Sequence, residues 1–295
     1  YFATANQNVT ANSYKNWNAI GFSWSDPYRG DRIDDVLSSK TQLSMQDMID
    51  LQVDYFSYPS VYLIDLLSEL VMRDENFLTD YSMYINLLSE WDNKLLKNSV
   101  EATIYVNWER TIFKHFYKKF VPKEVQGLLR VQLYKILDTL SNMNDIEKKT
   151  FIRETFVSSI IELKTKFGSD LNNWIYGQDQ YKHIKVKHPL ENIVNDSIYK
   201  MLSFKSYPRG GNGYTPGSTG SNLSQSSGAS FRVIIDTKDW DKSLATNSPG
   251  QSGDPSSPFY RNLYEEWAND NYFNLFYSKE KIKSNLYSRV VYYPN

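Results

Sequence analysis

Apolar residues recur at helical spacing through the middle of the chain. The pattern predicts helices at about 60–72, 80–91, 99–119, 123–141 and 145–167. Ser44 followed by Asp47 forms a capping box that begins an earlier helix at Met45. Gly168 stands just past the end of the last predicted helix, where glycine is favoured. Region 40–175 is therefore predicted to be mainly helical.

The pattern changes after the helical region. Residues 205–230 are mostly Gly, Ser, Asn and Pro, and a loop of this length indicates a functional or mobile segment. The run FRVIID at 231–236 predicts a buried strand. Shorter strands are predicted at 1–6, 243–246, 272–277 and 289–293, and a helix-like pattern covers 258–268. The loop before the first helices is expected to last until about Asp31.

Composition and charge exclude several classes of protein. The formal net charge of −1 argues against a nucleic-acid groove, which needs a basic excess. An apolar run of 18 residues is absent from the sequence, so we expect no membrane span. The chain has no cysteine, which excludes disulfides and thiolate nucleophiles. The first residues differ from a signal peptide, and we expect the chain to begin at a processing boundary.

Ser252 lies between glycines in SPGQSGDPSSP and raises the possibility of a serine nucleophile. The hydrolase elbow needs glycine at both second neighbours, but Asp occupies position 254. A trypsin-like loop needs Asp before the serine, where Gln251 stands. The histidines that a triad requires show no supporting spacing: they are His115, His183 and His188. The favoured interpretation of Ser252 is a residue in a tight turn.

Metal and phosphate motifs are weak as well. The histidines lack HExxH or HxH spacing, and the acidic clusters lack the EF-hand pattern. The glycine run at 210–213 lacks the lysine and the helix that a phosphate loop needs. Composition and motif spacing alone indicate a protein of mixed helix and strand, and they do not point to a particular reaction.

The longest distinctive stretch is GASFRVIIDTKDWDKSLATNSPGQSGDPSSPFY at 228–260, which continues from Tyr260 as YRNLYEEWANDNYF. Shorter ones are FATANQ at 2–7, YRGDRI at 28–33, the Gln52-x-Asp54-x-x-Ser57 pattern and His188-Pro189-Leu190. Together these stretches resemble the penicillin acylase family, near the C-terminal end of its β chain. The resemblance implies an α+β fold that forms part of the four-layer αββα sandwich of N-terminal-nucleophile hydrolases.

The family cleaves its own precursor, and the new N-terminal serine of the β chain becomes the nucleophile. Its free α-amine serves as the base, so no histidine is needed. Tyr1 is not that serine, and the resemblance implies a nucleophile upstream of this chain. Expected partners are the upstream part of the β chain, the α chain and a small acyl amide substrate. The chain alone is expected to be inactive.

The resemblance also implies two site residues. Asn6 aligns with the asparagine whose side-chain N–H stabilises the oxyanion, and Arg32 aligns with the arginine that orients it. Each residue has an alternative interpretation. Asn6 could be a loop residue that caps a strand, and Arg32 could be a solvated or salt-bridged side chain beside Asp31.

The resemblance implies that no cofactor is required. It also implies a structural calcium in the complete protein, with most of its ligands outside this chain. A non-catalytic binding or assembly module on the same scaffold is the alternative function.

Overall fold

A computed structural model describes residues 1–11, 13–21, 23–71 and 74–294. The helices are α1 Tyr28–Ser38, α2 Met45–Gln52, α3 Tyr58–Val71, α4 Glu75–Ser89, α5 Val100–Phe120, α6 Leu133–Ser141, α7 Asp145–Phe167, α8 Asp196–Leu202, α9 Tyr264–Ala268 and α10 Lys279–Ser284. The strands are β1 His183–Ile184, β2 Tyr207–Pro208, β3 Ser224–Gln225, β4 Arg232–Ile234, β5 Leu244–Thr246 and β6 Phe273–Asn274. The fold is α+β, as expected.

The chain divides into two compact units. The first contains Tyr1–Gln42, Leu51–His183 and Pro208–Gln225, and it is called the helical unit below. The second contains Leu43–Asp50, Ile184–Tyr207 and Ser226–Asn295, and it is called the strand unit. The strand orders of the two small sheets are β2-β1-β3 and β4-β5-β6.

Helices α5 and α7 form the centre of the helical unit. Trp108 on α5 donates its indole N–H to the Thr155 hydroxyl on α7 at 3.1 Å. Asn107 donates to the backbone oxygen and the hydroxyl of Ser159, each at 3.1 Å. These polar groups are buried, and each hydrogen bond offsets the cost of removing them from water. The two pairs fix the register of α5 against α7 inside an apolar core.

The ends of the central helices follow from local sequence. Ser99 accepts the backbone N–H of Ala102 at the start of α5, at 2.9 Å. Asn144 accepts the N–H of Glu147 at the start of α7, at 3.0 Å. Gly168 ends α7 with φ 78°, a conformation that a residue with a Cβ disfavours. The prediction of glycine just past this helix is confirmed.

Several sequence-based boundaries are wrong. The single helix predicted at 123–141 is interrupted, because Gln126 donates its side-chain amide to the carbonyls of Tyr117 and Val121 and Gly127 follows it. The segments 1–6 and 289–293 are irregular instead of strands, and their large side chains are mostly exposed. Helix α1 begins at Tyr28, within the stretch expected to be loop.

In the strand unit, β4, β5 and β6 form an antiparallel sheet. Strand β4 lies in the stretch predicted as a buried strand, but its faces alternate. Arg232 and Ile234 are buried, while Val233 between them is exposed. Arg232 donates to the Asp270 carboxylate at 2.5 Å and to the Trp267 backbone oxygen at 3.1 Å. The charge of the buried arginine is therefore paired.

The glycine-rich segment 208–225 packs tightly in the helical unit. Gly210, Gly211 and Gly217 lie so close to the ring of Tyr55 that a Cβ on any of them would approach it within about 3 Å. Tyr176 donates its hydroxyl to the backbone oxygen of Gly211 at 2.8 Å. Glycine is needed here for close approach of the backbone to an aromatic ring. The segment forms a wall of the cavity described next.

Candidate active site

The helical unit contains a cavity of about 930 Å³. Its wall is formed by Asn6 together with residues from the stretches 23–29, 109–117, 130–132 and 213–222. Loops and the central helix α5 thus converge on one space, and aromatic and charged side chains share its lining.

Asn6 lies at the cavity wall in a left-handed backbone conformation, with φ 69°. Its backbone oxygen accepts the N–H of Ser25 at 3.1 Å. Its side-chain oxygen accepts a hydrogen bond from Nη2 of Arg29 at 2.8 Å. Because an arginine only donates, this contact assigns the oxygen of the amide to the arginine side and its NH₂ group to the other side. The amide is thus oriented as a hydrogen-bond donor.

Arg29, rather than Arg32, makes the contact with Asn6 that the resemblance implied. Arg32 donates from Nε to the Asp54 carboxylate at 2.7 Å, and its guanidinium lies 4.6 Å from the centroid of the Phe56 ring. Both arginines are on α1, three residues apart and therefore on one face of the helix. Arg32 fixes the helix that carries Arg29, and Arg29 fixes the amide. The salt-bridged alternative for Arg32 is observed with Asp54 as the partner.

Charged groups of both signs line the cavity. The basic ones are Arg29, Arg110 and Arg130, and the acidic ones are Asp26 and Glu109. Burial raises the pKa of Asp26, whose carboxylate accepts the backbone N–H of Tyr134 at 2.8 Å. Burial opposes the charged form of this carboxyl group, while the backbone N–H of Tyr134 favours it.

Glu109 on α5 is a buried acid in this wall. Its side-chain oxygen Oε2 accepts the hydroxyl of Tyr105 at 2.6 Å and is 3.5 Å from the amide nitrogen of Asn212. Burial outweighs these hydrogen bonds and raises the pKa of Glu109 to about 7. The carboxyl group therefore changes charge within the physiological pH range.

Lys182 binds the backbone of residues 219–222, a stretch that contributes residues to the cavity lining. Its ammonium donates to the backbone oxygens of Thr219, Gly220 and Asn222 at 3.1, 3.0 and 2.8 Å. Burial, with the nearby charge of Arg209, lowers the pKa of Lys182 to about 7. Three acceptors match the three N–H bonds of the charged group, and these bonds define the path of residues 219–222.

Ser252 belongs to a turn in the strand unit. The N–H groups of Gln251 and Ser252 both donate to the backbone oxygen of Phe259, at 2.9 and 3.1 Å. The Ser252 hydroxyl accepts the N–H of Asp254 at 3.1 Å. A Cβ on Gly250 would lie 2.2 Å from the Phe259 oxygen, which explains the glycine. The geometry is that of a glycine-dependent turn, as the sequence favoured.

Within the described ranges, no group of three or more His, Asp or Glu side chains is placed to hold a metal ion. None of the helices in the described part of the chain is long and apolar enough to cross a membrane.

Three residues of the cavity wall and its support were not predicted from sequence. Arg29 stands in the same YRGDRI motif as Arg32, so the motif marked the correct helix face but not the contacting residue. Glu109 interrupts the apolar face of a predicted helix between Tyr105 and Ile112, and that charge was a usable signal. Lys182 has no local pattern that distinguishes it from other lysines.

Comparisons with known proteins identify the family and a similar fold. The family model described as penicillin amidase matches residues 1–284. A thermostable penicillin G acylase from Alcaligenes faecalis has a similar fold, with a TM-score of 0.63 and 14% sequence identity. The match covers 98% of this chain and 56% of the acylase chain, so the chain spans little more than half of that protein's length. No curated protein sequence matches. The chain belongs to the penicillin amidase family.

Proposed function

We propose that the complete protein is an amide hydrolase that acts through an acyl-serine intermediate. The N-terminal serine lies outside residues 1–295, and Asn6 of this chain contributes to the oxyanion hole. The observation that carries the proposal is the oriented amide of Asn6, which lines the cavity while Arg29 binds its oxygen at 2.8 Å. Family membership supports the reaction class.

The arrangement suits the chemistry of acyl transfer. Negative charge develops on the carbonyl oxygen of the substrate as the serine attacks, and a fixed N–H donor stabilises it. Arg29 prevents the amide of Asn6 from rotating and presenting its oxygen instead. Arg32 acts one step further away, because its ion pair with Asp54 fixes the helix that carries Arg29. The reorganisation cost at the moment of reaction is thereby reduced.

The test begins with native and denaturing mass spectrometry of the protein as its source produces it. A companion polypeptide with an N-terminal serine supports the proposal. That assembly is then assayed with chromogenic amides of arylacetic, aryloxyacetic and fatty acids. The chain purified without the companion is expected to be inactive.

Asn6→Ala in the active assembly is expected to lower kcat by about 10²–10³-fold. Asn8→Ala is the matched control, because Asn8 lies two residues away and its side chain caps a local turn at Thr10. Full activity of Asn6→Ala removes Asn6 from the mechanism. A complete assembly without activity towards any amide in the panel favours a binding or assembly module instead.

A further inference from the structure

Gln7 folds back across Asn6. Its side-chain oxygen accepts the backbone N–H of Ala5 at 2.6 Å, so a ring of hydrogen-bonded atoms encloses the Asn6 backbone. Asn6 adopts φ 69° inside this ring. Asparagine tolerates the left-handed region better than most residues do, but the left-handed conformation is still not the one that asparagine prefers. A local side-chain bond of this kind holds the chain in the less populated state.

Gly30 provides the space that Gln7 occupies. Gly30 is the buried residue of α1, and an added Cβ would lie 2.3 Å from Nε2 and 2.4 Å from Cδ of Gln7. Atoms at such distances overlap, so the Gln7 side chain packs directly on the helix backbone. The residue before Gly30 is Arg29, which binds the side chain of Asn6. One turn of α1 therefore contacts both Gln7 and Asn6.

Asn6 is thus held from three directions. Ser25 binds its backbone oxygen, Arg29 binds its side-chain oxygen, and the Gln7 side chain fixes the backbone on which the amide is mounted. The first two contacts act on atoms of Asn6 itself. The third sets the direction in which its Cβ points, because φ determines that direction.

We propose that Gln7 is a positioning residue for Asn6 and that Gly30 is the socket that receives it. The proposal rests on the proposed function insofar as it concerns the reaction. Its structural part, the placement of the Asn6 amide, is independent of any activity.

The reaction is tested in the complete assembly with Gln7→Leu, which keeps bulk but removes the acceptor, and Gln7→Glu, which keeps the acceptor. Gln7→Leu is expected to lower kcat on the order of 10²-fold, since misplacement by about 1 Å has such an effect, while KM changes little. Gln7→Glu restores most of kcat. In an Asn6→Ala background, Gln7→Leu has no additional effect. An equal loss in both backgrounds indicates a merely structural role and overturns the proposal.

The socket is tested by thermal unfolding of the chain. Alanine favours helix more than glycine, so Gly30→Ala is expected to raise Tm when Gln7 is also changed to Ala. With Gln7 present, the clash makes the same change lower Tm. Gly127→Ala is the control, because an added Cβ there has no atom within 4 Å. A change of Tm with the same sign in both backgrounds overturns the socket.

The placement of the amide is tested by nuclear magnetic resonance of the chain labelled with ¹⁵N-asparagine. The side-chain signal of Asn6 is assigned by its loss in Asn6→Ala. Gln7→Leu and Gly30→Ala are expected to shift this signal, and Gly127→Ala leaves it in place. An unchanged signal in Gln7→Leu overturns the proposal whatever the activity. A shifted signal in an assembly without amidase activity supports the positioning and rejects the proposed function.

Discussion

The hydroxyl of Tyr105 donates a 2.6 Å hydrogen bond to the carboxyl group of Glu109, one turn further along α5. Both side chains are buried, with Glu109 only 6% exposed, and Glu109 reaches the wall of the cavity. The pair places a titratable group at the centre of the helical unit. Its charge state therefore links the stability of the fold to pH.

Glu109→Gln is expected to flatten the dependence of stability on pH. The folded pKa of Glu109 is raised to about 7 from an ordinary value of 4.5, so between these values the folded chain holds a proton that the unfolded chain releases. The stabilisation is complete below about pH 4.5 and is lost as the pH rises through about 7. The variant should gain up to about 3 kcal/mol over the native chain between about pH 5 and 8.

This comparison is made by urea unfolding across that pH range. Glu154→Gln, an exposed acid on α7, is the control and should retain the native slope. Parallel curves for Glu109→Gln and the native chain contradict the raised pKa.

Arg29 and Arg32 are expected to have separable effects. Arg29→Met frees the amide of Asn6 and should lower kcat of the complete assembly by about 10-fold to 10²-fold, within the range for a misplaced donor. Arg32→Met breaks a partly buried ion pair and should cost about 2 kcal/mol of unfolding free energy. Steady-state kinetics and chemical unfolding of both variants measure the two effects. A larger loss of kcat for Arg32→Met than for Arg29→Met would indicate that Arg32, and not Arg29, orients the amide of Asn6.

Lys182→Met is expected to destabilise the cavity wall. The variant leaves three backbone oxygens without their buried donor, at a cost of about 3 kcal/mol or more in unfolding free energy. Limited proteolysis should then cut within residues 218–223. Lys187→Met, an exposed lysine nearby in sequence, is the control. Resistance to proteolysis equal to that of the native chain would show that glycine packing alone holds the segment.

Gly250→Ala and Gly253→Ala distinguish the two glycines that flank Ser252. The first places a Cβ 2.2 Å from the Phe259 oxygen and should cost several kcal/mol, on the scale of strained backbone positions. The second meets no atom within 4 Å and should be nearly neutral. Thermal unfolding measures the stability of both glycine variants.

Ser252→Ala should leave kcat of the complete assembly unchanged, because the Ser252 side chain belongs to a turn. A loss of activity would instead support Ser252 as a nucleophile.

Leu163→Ala tests the α5–α7 core. Leu163 is 0% exposed, and its truncation should cost about 2–5 kcal/mol through lost burial and the cavity it leaves. Ile161 lies two residues away on the same helix but is 56% exposed, so Ile161→Ala should cost much less. Urea unfolding compares them. Similar losses for both variants would contradict the observed face of α7.

Local signals predicted the long helices well because they act within a few residues. The capping box is observed, with Ser44 and Asp47 exchanging hydrogen bonds at the start of α2, and α7 covers the predicted range 145–167. The predicted strand at 1–6 failed because a short stretch of apolar and small residues carries no information about a neighbouring strand. The exposed Tyr1 and Phe2 show that apolar residues alone do not make one.

For the candidate site, the sequence indicated the motifs involved but not every residue that makes a contact. Asn6 was identified by its resemblance, and the structure places it at a cavity. Arg29 and Arg32 lie on one face of α1, so the motif does not indicate which of them reaches Asn6. Arg32 is instead paired with Asp54, a residue 22 positions away, and sequence spacing does not contain that contact. Lys182 is likewise defined by contacts about 40 positions distant.

The tightly packed segment 208–225 has a practical meaning for protein engineering. Its composition is that of the flexible linkers into which tags and reporters are usually inserted, yet Gly210, Gly211 and Gly217 pack against the Tyr55 ring and Lys182 binds three of its backbone oxygens. An epitope tag inserted there would open the cavity wall. The open surroundings of Gly253 make the exposed turn beside it the better insertion point.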